Sequence, residues 1–169
     1  MNADTRSKVM QEVVEAINPV IADGFALYEK TRTFYLNAAR WPDSDNKGLF
    51  AGQADEIFAS MDILAGRMRE MGGTPLRSIS HSGELQSVEA YNSRLLSPGE
   101  MIEELNADNQ QMAASLRIAC AICEKMCDLS IGILLRDILR QTERRVGLLT
   151  DAEVKTQRSE APDPTSEKR

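Results

Sequence analysis

The chain has 169 residues, a formal charge of −6, a pI near 4.9 and only 5% aromatic residues. That length suits one domain with a real core, or one subunit of a larger assembly. Few aromatics leave the core to Leu, Ile, Ala and Met, which favours packed helices over a β-sandwich, and the acidic balance argues against generic nucleic-acid affinity, because phosphate binding needs clustered Lys and Arg.

Four long amphipathic segments and one short one follow in chain order. The first runs from about Asp4 to Ala38, with residues 1–16 read as a partly helical extension ahead of the bundle. Asn18-Pro19 interrupts it. Asn at a cap followed by Pro at the first helical position is a start signal, so two helices and one kinked helix both fit. Val20, Leu27, Thr31, Phe34 and Ala38 keep helical spacing, and Gly24 marks a place for a neighbouring backbone to come close. The second segment, about Lys47 to Met71, carries Phe50, Ala54, Ile57, Met61, Leu64, Met68 and Met71 on one stripe, the methionines as core fillers. "GGTP" (Gly72 to Pro75) stops it.

The stretch from Leu76 to Leu96 is polar and mixed, with a short helix expected within Ser82 to Tyr91. "SPGE" (Ser97 to Glu100) is a capping box that opens the third long helix. Met101, Leu105, Met112, Leu116, Ala119 and Cys123 share its apolar face, which Asp108 and Asn109 interrupt. "CDLS" (Cys127 to Ser130) marks a break before the fourth, with Leu134, Leu135, Ile138, Val146 and Leu149 facing inward. Residues 151–169 lose their apolar spacing and read as a flexible charged tail. The pattern predicts an all-α, ferritin-like four-helix bundle over residues 17–150. Its links are short between helices one and two and between three and four; a long crossover joins two to three.

Several residues raise chemical questions. Cys120, Cys123 and Cys127 lie at i, i+3 and i+7 on one helix face. They read as small buried hydrophobes, or as a thiolate cluster for a soft metal or a redox sensor. The zinc pattern is incomplete, lacking a second pair or a partnered histidine. His81 is the only histidine and lies in the crossover. Asp108 and Asn109 could face a metal inside the bundle, though such residues more often hydrogen-bond to a neighbouring helix. "ERR" (Glu143 to Arg145) reads as a solvated face. In the tail, Lys155, Arg158, Lys168 and Arg169 are offset by Glu153, Glu160, Asp163 and Glu167, a poor DNA anchor. The start "MNADTRSKVMQEVVEAI" lacks an apolar signal region and no apolar run approaches the roughly 20 residues that span a bilayer, so a reduced, cytoplasmic protein is expected.

"INPVIADGFALYEKTRTFYLN" (Ile17 to Asn37) resembles the first helix of the Dps miniferritins, the DNA-binding proteins of starved cells. The shared pattern is Asn18, Ala22-Asp23, Leu27-Tyr28, Lys30-Thr31-Arg32 and Asn37. "LFAGQADEIFASMDILAGRMREMGG" is similar to their second helix, through Leu49-Phe50, Gln53, Asp62, Ala65, Arg67 and Gly72-Gly73. "PGEMIEELNADN" and "CDLSIGILLRDILRQTERRVGLL" are similar to the third and fourth. The resemblance covers about Ile17 to Leu149. It implies a hollow homo-oligomeric shell of twelve subunits that stores iron, usually oxidised by peroxide. The ferroxidase site would be shared across a two-fold interface, with two histidines of one subunit facing an Asp and a Glu of its neighbour.

This chain departs from that pattern at three of the four positions. The first histidine, two residues before the Asn matched by Asn37, is Tyr35. The second, three residues before the matched Phe50, is Lys47. The Asp is kept as Asp62, and the Glu one helical turn on is Gly66. Ferrous iron favours imidazole and carboxylate donors. A phenol is a poor donor, an ammonium repels the ion, and glycine supplies nothing, so Asp62 alone would bind iron weakly. Asp62 could instead pair with Lys47 of a neighbouring subunit. The expectation is a miniferritin subunit for iron sequestration and stress protection with a largely lost ferroxidase site. Two alternatives stand beside it: an active metal oxidase using Asp62 with Asp55, Glu56 or the cysteine cluster, and a helical interaction protein that forms no cage.

Overall fold

A computed structural model describes residues 3–40, 46–76, 79–91, 95–125 and 129–160. Helix α1 spans Ala3–Asn37 and ends in a 3-10 turn, Ala38–Arg40; α2 spans Asn46–Glu70, α3 Ile79–Leu85, α4 Pro98–Lys125 and α5 Leu129–Glu160. Helix α1 packs on α2 and α4, and α5 packs on α4 and α2. The four long helices thus enclose one core, and the short α3 lies against α1 within the crossover.

Pro19 does not divide α1: the helix is assigned continuously through it. An interior proline costs about 3 kcal/mol through its missing donor and its clash with the preceding turn. Val13, Ile17, Val20 and Ile21 are all buried on either side of it, and that apolar burial offsets the cost. Because Val13 belongs to the core, the packed part of the chain begins before residue 17.

The end of α2 shows how the sequence stops a helix. Gly72 has φ +85°, its N–H donates to the Arg69 carbonyl at 2.9 Å, and the Gly73 N–H donates to the Met68 carbonyl at 2.9 Å. This is a Schellman closure, in which a glycine takes the left-handed conformation at no steric cost. At the start of α4 the capping box is made in both directions: the Ser97 N–H donates to Glu100 Oε2 at 2.8 Å, and the Glu100 N–H to Ser97 Oγ at 3.3 Å. Gly24 answers to a different need. A Cβ there would fall 2.1 Å from Met61 Sδ and 2.5 Å from its Cγ, so glycine lets α2 seat its methionine against the α1 backbone.

The crossover is stapled by one carboxylate. Asp23 on α1, 1% exposed, accepts from the Ser87 N–H, from Ser87 Oγ at 2.9 Å, from the Val88 N–H at 3.1 Å and from Ser115 Oγ on α4 at 2.9 Å. Val88 and Leu96 are then buried in the core. The crossover helix, Ile79–Leu85, therefore sits earlier than the Ser82 to Tyr91 expected for it, because the Ser87 and Val88 N–H groups are given to Asp23 instead of to a helix.

The expected boundary at residue 150 is also displaced. Helix α5 continues to Glu160, since Leu149 and Ala152 remain buried and Thr156 lies beside Gly99 at the start of α4. A stripe at positions 149, 152 and 156 keeps the helical period after the larger apolar residues have run out. Residues 161–169 of the expected tail lie outside the described residues.

Candidate functional site

Two places hold chemistry-bearing side chains: the outer face of α1 and α2, and the interior of the bundle. On the outer face, Tyr35 is half-buried and carries a cation on its ring from each helix. Arg32 Cζ lies 4.8 Å from the ring centroid, and Lys47 Nζ lies 5.5 Å from it. Both distances are within the range of attraction between a cation and an aromatic quadrupole. Tyr28 stacks at a tilt on Phe58 with centroids 5.1 Å apart, and Phe25 meets Phe58 edge-on at 6.5 Å. Phe58 stays 47% exposed.

Asp62 is exposed one turn beyond Phe58, and Gly66 is exposed one turn further, where an added Cβ would meet nothing within 4 Å. Asp62 lies fifteen residues past Lys47, about 22 Å along the helix axis at 1.5 Å per residue. The four positions singled out by the resemblance therefore fall into two pairs within one chain: Tyr35 with Lys47, and Asp62 with Gly66. Neither pair holds two metal donors. A divalent ion beside Tyr35 would meet two positive charges, so these residues do not fit a ferrous ion there.

The bundle interior is polar for a reason the sequence reading missed. Arg145 was expected on a solvated face with Glu143 and Arg144; it is 1% exposed. Its Nε donates to Asn109 Oδ1 at 2.9 Å, its Nη2 to Thr142 Oγ1 at 2.8 Å, and its Nη1 to Glu56 Oε2 at 3.2 Å. Glu56 also accepts from Arg144. Burial pulls the Arg145 guanidinium below its usual range; Glu56 opposes that, and Arg144 adds to it. The signal was present in the spacing. Ile138, Thr142, Arg145 and Leu149 follow helical periodicity, and all four are buried, whereas Val146 is only half-buried.

This cluster uses up donors that a metal would need. Asn109 gives its oxygen to Arg145 and its amide to the Leu105 carbonyl at 2.7 Å. Asp108 has turned to the other side, where Lys30, 4% exposed, brings its Nζ to 2.6 Å from Asp108 Oδ2, with Glu104 Oε2 3.9 Å away. Burial pushes the Asp108 carboxyl above the usual range, Lys30 resists this by hydrogen bond and charge, and Glu104 and Glu89 reinforce it. Gln53 is buried with neither amide atom hydrogen-bonded. Glu56, a candidate for a rearranged metal site, spends both oxygens on arginines, and Asp55 is exposed. Among the described residues no group of three or more His, Cys, Asp or Glu side chains is placed to hold a metal ion.

Cys120 and Cys123 are both buried on α4. Burial pushes the Cys120 thiol up, with Arg136 opposing and Glu124 adding; a raised thiol is a poor nucleophile. Cys127 lies outside the described residues. His81 is half-buried on α3, not on the α1 and α2 positions. Among the described residues, no helix is long and apolar enough to cross a membrane.

Known proteins share this architecture. The fold matches a Dps structure from Thermosynechococcus elongatus at TM-score 0.77 and 17% identity, covering 87% of this chain and 93% of that one. Dps from Staphylococcus aureus matches at 0.75 and 21%, covering 85% and 95%. A dodecameric thioferritin from Bacteroides fragilis matches at 0.83 and 13%, covering 94% and 96%. In sequence, a low temperature-induced protein of Nostoc sp. is 22% identical over 117 residues, which is 69% of this chain; the chain spans 65% of that relative's length. Ferritin-like di-metal bundles project Glu and Glu-x-x-His ligands inward from facing helices, and here Arg145 and Asn109 occupy the interior instead. The Ferritin-like domain family matches residues 14–158, and the chain belongs to that family as a divergent member with a Dps-like fold.

Proposed function

We propose that this protein is a miniferritin-type subunit that assembles into an oligomeric, cage-like shell for iron sequestration, and that it does not carry the dinuclear ferroxidase chemistry of its relatives. One observation carries the second half of this reading: Tyr35, at a position where the resemblance implies a metal-binding histidine, is flanked by the Arg32 and Lys47 cations. The first half is supported by the Dps-like fold over most of the chain and by the exposed aromatic face of α1 and α2. Iron is cargo in this reading, and stress protection follows from withholding it. Nothing in the charge layout favours DNA as a partner. The twelve-subunit count comes from the resemblance.

Anaerobic ferrous titration with optical detection, followed by peroxide, tests the reading. The expected result is no saturable binding step per chain and no fast peroxide-dependent oxidation, with identical traces for the parent and Asp62→Ala. Saturable binding and rapid oxidation lost in Asp62→Ala would establish an active oxidase instead. Light scattering at modest salt that shows only single chains would remove the shell.

A further inference from the structure

We propose that the bundle interior contains a binding site for water between Gln53 and Arg145, so that a guanidinium and its bound water stand where bundles of this architecture carry inward-facing metal ligands. The site lies inside one protomer and is independent of assembly.

Gln53 is the residue that points to it. It is 3% exposed on α2, and among the described residues neither its Nε2 nor its Oε1 has a hydrogen-bond partner. It lies on the inward stripe between Phe50 and Ile57, each 1% exposed, so the amide is turned into the bundle. Burying an amide with both ends unpaired is costly enough that native interiors supply a partner, from protein or from ordered water. Here no protein group among the described residues does so.

Arg145 supplies the other side. A guanidinium has five N–H donors, and three are committed, to Asn109, Glu56 and Thr142, which leaves two inside the bundle. Gln53 stands three residues before Glu56, so the two share one side of α2, and Glu56 Oε2 lies 3.2 Å from Arg145 Nη1. The unpaired amide is thus about one helical turn from the uncommitted guanidinium donors. A third wall is also polar. Helices α1 and α2 run antiparallel with Gly24 against Met61 and Tyr28 against Phe58, which sets Gln53 level with Thr31. That residue is 0% exposed; its hydroxyl donates to the Leu27 carbonyl and keeps its oxygen lone pairs for a further donor.

The donor and acceptor pattern selects the occupant. A group bound here must donate to Gln53 Oε1 and accept from Gln53 Nε2 and from Arg145. Water does both, and a buried water making about three hydrogen bonds is the usual answer to unpaired interior groups. A metal cation would face an amide N–H and a guanidinium. A halide would leave Oε1 unpaired.

A crystal structure of the full-length chain, together with a double-mutant cycle in urea unfolding, tests the site. Solvent density is expected within hydrogen-bond distance of both Gln53 amide atoms and of Arg145. Gln53→Met is expected to lower the unfolding midpoint of the parent, because Arg145 loses its water-mediated contact. In the Arg145→Met background the same change is expected to leave the midpoint unchanged or raise it. Equal shifts in the two backgrounds would show the residues to be uncoupled and would overturn the bridge. So would a Gln53 amide packed dry against apolar side chains, or a strong anomalous peak beside it in a bromide-soaked crystal, which would make the occupant an anion. The density at Gln53 decides the question by itself if Arg145→Met does not fold.

Discussion

Arg145 Nε donates to Asn109 Oδ1 across 2.9 Å and ties α5 to α4 inside the bundle. With Thr142 and Glu56 as its other partners, Arg145 fixes the relative position of three helices from a site that is almost closed to water. Arg145→Met removes the guanidinium and strands Asn109 Oδ1 and one Glu56 oxygen. Breaking a buried charged network costs about 3–5 kcal/mol; Glu56 keeps Arg144, which puts the expected loss near the lower figure, about 3 kcal/mol. Urea unfolding at fixed protein concentration measures it. Combining Arg145→Met with Asn109→Leu and Glu56→Gln should recover part of the loss, because the stranded groups go with their partner.

Lys30 and Asp108 give a pH signature of unusual sign. The Asp108 carboxyl is raised above 3.8 by burial, so between 3.8 and its raised value the native state holds a proton that the unfolded chain has released. Across that window Asp108's contribution to stability falls as pH rises, opposite to a carboxylate held below its usual range. Asp108→Asn should flatten this component in a series of urea unfolding curves. At neutral pH the same variant should be less stable by about 3 kcal/mol, since Lys30 is left buried with only a distant carboxylate. The pair Lys30→Met with Asp108→Leu should be close to the parent.

Much of the frame was legible because short-range chemistry dictated it. The Ser97 and Glu100 capping box and the Gly72 closure are local hydrogen-bond solutions that their residues specify alone. The apolar stripes of α2 and α4 follow from period. What remained hidden depends on contacts between distant segments. Arg145 reads as surface by residue type and as core by spacing, and type misled, since a buried arginine is stable only with Asn109, Glu56 and Thr142 supplied by other turns and helices. Asp23 matches the family pattern without revealing its purpose, because its partners Ser87 and Ser115 lie more than 60 residues away. The Arg32 and Lys47 stack on Tyr35 needs α1 and α2 folded together before it exists.

Two glycines on neighbouring helices should respond in opposite directions to the same change. Gly66→Ala adds a methyl where nothing lies within 4 Å and should stabilise the helix by about 0.5–1 kcal/mol through propensity. Gly24→Ala gains the same propensity but drives a Cβ into Met61. Overpacking a filled core costs about 1–3 kcal/mol, so a net loss is expected. Thermal unfolding at one protein concentration separates the two, and adding Met61→Ala to Gly24→Ala should relieve the clash at the cost of lost packing.

The outer face offers a gain-of-function experiment. Tyr35→His, Lys47→His and Gly66→Glu together supply the donors that the resemblance implies, with Asp62 already in place. Removing Lys47 also takes away one of the two charges that oppose a cation, leaving Arg32 4.8 Å from the replaced ring. The triple variant should bind ferrous or zinc ions saturably, at about two ions per completed centre, as expected for a dinuclear centre of imidazoles and carboxylates. Calorimetric titration under anaerobic conditions reads this directly. Arg32→Ala added to the triple variant should tighten binding further, because the remaining positive charge is then gone. If each copy supplies half of the centre, mixing the triple variant with excess parent chain before assembly should lower the number of sites in proportion to the parent fraction. Binding that stays fixed per variant chain would place the restored site within a single protomer, which the 22 Å between its two halves argues against.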